Sequence, residues 1–153
     1  MPSPLESSGE RPESLNDGSL RQFAGYNLRR AYLAIHDDLT RQLAALELRT
    51  ITFSALCMIA DNPDIIQSRL AEALSMERPN LVVVIDELEQ RGFITRTRLA
   101  SDRRAYALRV TLSGRRLCGK ALKTIAAHED RLLAVLDAAE RRTLVTLLNR
   151  IEG

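Results

Sequence analysis

The sequence predicts a mainly α-helical chain interrupted once by a small β-hairpin. Three observations carry this reading. Of 153 residues, 45% are hydrophobic but only 4% are aromatic, so the core must be built from Leu, Ile, Val and Ala, and Leu and Ala favour helix. Apolar residues recur at spacings of three and four over most of the chain, the period of an amphipathic helix. Only between Phe93 and Val110 does that period give way to a β-rich, alternating run. The length suits one domain that buries a core without disulfide or metal staples.

Residues 1–18 carry Pro2, Pro4, Pro12, Gly9 and Gly18 among Ser and Glu and are expected to be a disordered N-terminal arm. Ser19-Leu20-Arg21-Gln22 has the form of a capping box, with Ser19 as N-cap. It opens a long first helix with the stripe Leu28, Tyr32, Ile35, Leu39, Leu43 and Leu46. Thr52 is placed to cap a second helix over residues 53–60, stopped by Asp61-Asn62-Pro63. A short third helix spans residues 67–74, and Ser75-Met76-Glu77 has room only for a turn. A fourth helix starts at Arg78 with Pro79 in its first turn, where a missing N–H costs nothing. It buries Leu81, Val84, Ile85 and Leu88 and ends at Gly92. Two strand-like runs, residues 93–99 and 105–110, flank a basic tip at residues 100–104. A helix over residues 112–136 follows Thr111, and Asp137-Ala138-Ala139-Glu140 opens the last one.

Charge is distributed unevenly. The net charge is +2, yet residues 91–116 hold eight Arg against the single acid Asp102, a segment of +7 that leaves −5 elsewhere. Such a concentration on a near-neutral chain reads as the footprint of a polyanion partner; the alternative is a solvated charged face, which more often mixes Lys and Glu among the Arg. Two helices joined by a tight turn form a helix-turn-helix, whose second helix can enter the DNA major groove. A hairpin directly after it reads as a wing that carries Arg to the minor groove. The expected fold is therefore mainly α with a small β-hairpin wing, a winged helix-turn-helix.

Other classes fit poorly. No Ser/His/Asp or Cys/His set, metal-ligand cluster or Gly-rich phosphate loop can be assembled, so neither an enzyme, a cofactor nor a metal is expected. No apolar run is long enough to span a bilayer, and the N-terminus lacks a basic-then-apolar signal pattern; a cytoplasmic protein is expected, with no membrane partner. A winged helix that binds protein instead of DNA remains an alternative, although that role has no need of the basic wing.

The segments Leu70-Ala71-Glu72, Ile85-Asp86-Glu87-Leu88-Glu89-Gln90-Arg91-Gly92-Phe93-Ile94, Asp102-Arg103-Arg104-Ala105 and Leu108-Arg109-Val110-Thr111-Leu112-Ser113-Gly114-Arg115 together resemble the MarR family of winged-helix transcription factors. The resemblance covers residues 20–151. It implies residues 19–153 as one domain, with the winged helix-turn-helix at 50–112 and dimerisation helices at 19–47 and 112–152. It also implies a homodimer on a palindromic double-stranded DNA operator, most simply as a repressor, released by a small aromatic or phenolic effector or by an oxidant. Where family members often cap the two helix-turn-helix helices with Ser or Thr, this chain has Ile66 and Glu77. Glu77 suits the helix dipole, but its carboxylate would repel DNA phosphate.

The expected DNA-contacting residues follow. Arg78, Pro79 and Asn80 open the fourth helix; Arg prefers guanine and Asn prefers adenine edges. Val82 and Val83 lie off the buried stripe and either meet thymine methyl groups or pack against the wing or second helix. Arg96, Arg98, Asp102, Arg103 and Arg104 belong to the hairpin. The resemblance implies that Asp102 orients an Arg and that Arg104 enters the minor groove, with Arg103 its competitor. Tyr32 and His36 lie one turn apart on the first helix, where some family members line an effector pocket; dimer-core packing or simple exposure is the competing reading. Cys57 and Cys118 sit in apolar runs with no disulfide or metal spacing. Apolar surroundings raise a thiol pKa, so both are expected to pack, with a redox-sensing role for Cys57 or Cys118 as the alternative. The redox-sensing branch of the family places its Cys in the first helix, and this chain has none there.

Overall fold

The computed structural model describes residues 15–102 and 104–153. The chain divides into two compact units, Met1–Ala34 and Ile35–Gly153. In the first unit, α1 (Gly18–Arg21) is a single turn and α2 (Ala24–Ala44) begins after a break at Gln22 and Phe23. The expected continuous helix with Ser19 as N-cap is thus corrected. Asp17 occupies the N-cap, one residue inside the stretch expected as an arm. Its carboxylate accepts hydrogen bonds from the Tyr26 hydroxyl at 2.6 Å and Arg21 Nε at 2.8 Å. Gln22 donates to the Ser19 carbonyl instead of reaching back to cap. At the break, Asn27 Nδ2 donates to the Arg21 and Phe23 carbonyls, supplying the partners that a helix interruption leaves wanting. The arm's first fourteen residues lie outside the described residues.

The second unit contains α3 (Thr50–Asp61), β1 (Ile65–Ile66), α4 (Gln67–Ala73), α5 (Arg78–Gln90), β2 (Ile94–Arg98), β3 (Tyr106–Val110), α6 (Leu112–Leu132) and α7 (Ala138–Glu152). The core joins α3, α4, α5, the sheet and α6 through Leu56, Ile59, Leu70, Leu81, Ile85, Leu88, Ile94, Leu108 and Cys118. A smaller cluster gathers Leu43, Leu48 and Ala121. All four predicted core positions of α5 are buried. Thr52 is a correction: it is not a cap but lies inside α3, fully buried, with Arg49 at the N-cap. α6 ends at Leu132, four residues earlier than expected, and the capping box of Asp137 with Glu140 then opens α7 as predicted.

The sheet has three strands in the order β1-β3-β2, both pairs antiparallel. β1 was not foreseen; Ile65 pairs with Leu108 and Ile66 with Ala107. The β2–β3 register runs from Ile94 opposite Val110 to Arg98 opposite Tyr106.

The passage from α5 to the hairpin is tightly fixed. Gly92 has φ +73°, a region that glycine enters without a Cβ penalty. Its N–H reaches the Glu89 carbonyl and the Phe93 N–H reaches the Leu88 carbonyl, each at 2.9 Å, the paired bonds of a Schellman cap. The far end of the hairpin is tied to the same place. The Thr111 N–H donates to the Phe93 carbonyl at 2.9 Å, and Thr111 Oγ1 donates to the Gly92 carbonyl at 2.7 Å. That hydroxyl also accepts from the Gly114 N–H, capping α6. A Cβ on Gly114 would lie 2.0 Å from the Phe93 carbonyl oxygen and 2.9 Å from Val110 Cγ2.

Gly114→Ala is therefore expected to destabilise the protein by about 3 kcal/mol, the upper range for forced overpacking, because the atom in the way is backbone. Gly92→Ala, which meets open space but keeps a strained φ, should cost only about 1 kcal/mol. Urea unfolding of the two variants measures the difference.

Candidate nucleic-acid interface

The outward face of α5 is what its apolar stripe leaves behind. With Leu81, Val84, Ile85 and Leu88 turned inward, Arg78, Pro79 and Asn80 are exposed in the first turn. Val82 is 42% and Val83 61% exposed. Glu77 is the N-cap but makes no side-chain capping bond, and neither does Ile66 ahead of α4.

Across from this turn stands the wing. A concavity of about 430 Å³ is lined by Gln67 and Ser68 from α4, Arg78, Leu81 and Val82 from α5, and Asp102, Arg104 and Tyr106 from the hairpin. The structure thus gathers four of the sequence-predicted residues, Arg78, Val82, Asp102 and Arg104, around one hollow. Gln67 was not foreseen. Its Nε2 is buried without a hydrogen-bond partner among the described residues.

Among the described residues, Asp102 acts on the backbone of the turn. Its Oδ1 accepts the Arg104 backbone N–H at 2.9 Å, and its carbonyl accepts the Ala105 N–H at 3.0 Å. It shapes the turn that carries Arg104, an arrangement typical of Asp at turns. Arg103 lies outside the described residues.

The other arginines fall into two groups. Arg98 Nε donates to the Tyr106 hydroxyl at 3.0 Å, with the guanidinium 5.6 Å from the ring centroid. Arg96 is turned back onto α5, ion-paired with Asp86 at 2.8 Å and with Glu89. The Glu89 hydrogen bond, with Asp86 beside it, outweighs partial burial and holds its pKa above the ordinary arginine value. Arg91 pairs with Glu87 at 3.3 Å. Arg109 makes a two-pronged contact with Asp64, both distances 2.6 Å, and that hydrogen bonding holds the Asp64 carboxyl below its usual range. The acids come from outside the basic segment, so its formal +7 overstates the exposed charge. Arg98, Arg104, Arg115 and Arg116 make no ion pair among the described residues.

Of the effector candidates, Tyr32 is exposed and His36 half-buried, both on α2. A feature the sequence did not signal is His128 on α6, 1% exposed, with Nδ1 against an Asp38 carboxylate oxygen from α2. Cys57 and Cys118 face each other across α3 and α6 with Sγ atoms 2.7 Å apart, a pairing the sequence did not signal. Among the described residues there is no group of three or more His, Cys, Asp or Glu placed to hold a metal, and no helix is long and apolar enough to cross a membrane.

Comparison with known proteins agrees with this geometry. The model of the MarR family matches residues 52–106, the stretch from α3 to the start of β3. A Thauera aromatica protein named for transcriptional regulation of the hcr operon is 33% identical over 135 residues, spanning 88% of this chain and 81% of that one. The chain is also similar to the transcriptional repressor CouR in two solved structures. One is bound to a 23-mer DNA duplex (38% identity, TM-score 0.85, 92% of this chain and 99% of that one). The other is bound to p-coumaroyl-CoA (35% identity, TM-score 0.77, 91% of this chain and 98% of that one). This chain belongs to the MarR family and is a DNA-binding transcriptional regulator whose winged helix-turn-helix is formed by α3, α4, α5 and the β2–β3 hairpin.

Proposed function

We propose that the protein is a cytoplasmic homodimeric repressor that places α5 of each subunit in the major groove of a palindromic operator and its wing in the adjoining minor groove. The observation that carries this is the exposed first turn of α5 opposite Arg104. Arg78 and Asn80 supply the side chains that discriminate guanine and adenine, while Val82 and Val83 offer methyl groups to thymine. Arg104 sits on the turn set by Asp102 and gains from the potential of a narrow groove; Arg98, braced on Tyr106, follows it along the strand. Arg96 supports the wing from behind through Asp86 and Glu89. The dimer reading rests on α7, which buries no residue within the chain and exposes Val145, Leu147 and Ile151. An apolar face of this kind needs a partner. This is the work of a regulator, not of a catalyst.

For the effector we favour an aromatic acyl-CoA thioester, because a 35% identical repressor carries p-coumaroyl-CoA. This sharpens the small aromatic or phenolic ligand expected from sequence. Tyr32 and His36 are candidates to meet it. Adding p-coumaroyl-CoA to a complex of the protein with DNA selected from a random pool tests this; full retention of the DNA at saturating ligand would reject this effector class.

Arg104→Ala should weaken binding to all selected sites. It should also lower the log–log salt slope by roughly 0.9 for each phosphate it no longer neutralises, and by about twice that for a symmetric dimer. Arg96→Ala should leave the slope unchanged and lower the melting temperature, since its charge is already spent on two carboxylates. Titrations at several salt concentrations separate the two. Equal slope changes would show that Arg96 also meets phosphate.

Asn80→Ala should relax base preference at one position of each half-site, by about 1–3 kcal/mol, rather than weaken binding uniformly. Sequences selected by wild type and variant provide the comparison, and identical preferences would remove Asn80 from the reading face.

A further inference from the structure

The thiol pair between α3 and α6 has no part in DNA reading. Cys118 is 6% exposed and belongs to the main core, and Cys57 is half-buried against it. Both are free thiols, 61 positions apart in sequence. Their Sγ separation of 2.7 Å is well inside the ~3.5–4.0 Å at which even carbon atoms rest against one another. Two sulfurs so placed either move apart or bond. Little movement separates this contact from the ~2.05 Å of a disulfide. Burial pushes the Cys57 thiol far above its ordinary pKa, helped by the hydrogen bond with Cys118 and by Asp61. The raised pKa keeps the resting Cys57 thiol protonated at neutral pH, so it reacts slowly.

We propose that Cys57 and Cys118 form an oxidisable dithiol site, at which a peroxide closes an intrasubunit disulfide that ties α3 of the winged helix-turn-helix to α6. The half-buried Cys57 is the point of entry. Its deprotonated sulfur attacks one peroxide oxygen and becomes a sulfenic acid, and the other oxygen leaves as water after taking up a proton. Cys118 then attacks the Cys57 sulfur and expels the second water. The two thiols lose two electrons and two hydrogens in all, and hydrogen peroxide is reduced to two waters. Because the bond closes a contact already made, α3 and α6 keep their arrangement. The oxidised protein is braced, not inactivated.

The test uses the full-length reduced protein and hydrogen peroxide, with peptide mapping under non-reducing conditions. The expected product is one linked peptide pair, Cys57 with Cys118, within a single subunit and reversible by dithiothreitol. With it should come a melting temperature raised by roughly 10 °C, as for a bridge closing a long loop. Cys57→Ser and Cys118→Ser should each abolish the linked peptide and the rise while still folding, as circular dichroism would show. Failure of the link to form in folded protein, at peroxide levels that oxidise both thiols in urea, would overturn the site; so would links between subunits or over-oxidation of Cys57 alone. Retention of selected DNA by the oxidised form, within about threefold of the reduced form, is expected if no rearrangement accompanies the bond. A larger loss overturns the brace. Should the reduced protein bind no DNA, the operator reading fails, and the peptide map and melting shift still decide the dithiol site.

Discussion

The four apolar residues of α5 are the constraint from which the interface follows. Burying Leu81, Val84, Ile85 and Leu88 fixes the rotation of the helix about its axis, because a period of 3.6 leaves no freedom once one stripe is committed. Rotation in turn decides which side chains look outward. A single buried position shifted by one residue would swing Val83 into the core and take Asn80 off the face. The face proposed to read DNA is thus set by core packing, with Arg78, Asn80, Val82 and Val83 all outside the buried stripe.

Electrostatics around the wing is organised in two layers. Asp64, Asp86, Glu87 and Glu89 neutralise Arg109, Arg96 and Arg91 on the side toward the body of the unit. Arg98 and Arg104 remain on the outer side without a carboxylate partner among the described residues. Partly exposed pairs of this kind contribute little stability singly. Their geometric effect is larger: Arg96 holds β2 against α5, and Arg109 ties β3 to the turn before β1. The acids beneath also limit the spread of positive potential, which favours a defined line of contact over general adhesion to polyanions.

Much of this was legible in the sequence. The order of helices, the tight turn, the hairpin, the α5 stripe and the α7 capping box all rest on local signals, and local signals report local structure well. What escaped depends on partners distant in the chain. β1 is two residues long and exists only because β3 lies beside it. Thr52 looked like a cap, but the helix starts two residues earlier and carries it into the core. The contact between Cys57 and Cys118 and the burial of His128 against Asp38 are made between helices far apart in sequence, which no periodicity encodes. The basic segment was found correctly and its charge misjudged, because four neutralising acids lie outside it or on the helix before it. At Asp102 nothing in the sequence signalled that the carboxylate would bond the backbone of the turn that carries Arg104.

The hairpin is held through its root half, where β1 and Asp64 bind β3 and Arg96 of β2 binds Asp86 and Glu89 of α5. Thr111 ties both of its roots to the last turn of α5, while the cross-strand ladder runs out at Arg98 and Tyr106, with one further bond from Leu99 to Ala105. Mechanically this is a cantilever clamped to the helix it accompanies. Bending such a beam displaces the tip most and the clamp least, so a thermal or contact force on Arg104 is absorbed along the strands before it reaches the register of α5. The minor groove varies in width with sequence while major-groove hydrogen bonds tolerate little misalignment. In the proposed docking, a stiff root with a compliant tip would let one subunit satisfy both demands at once, tracking the shape of the duplex with one element while holding the other still.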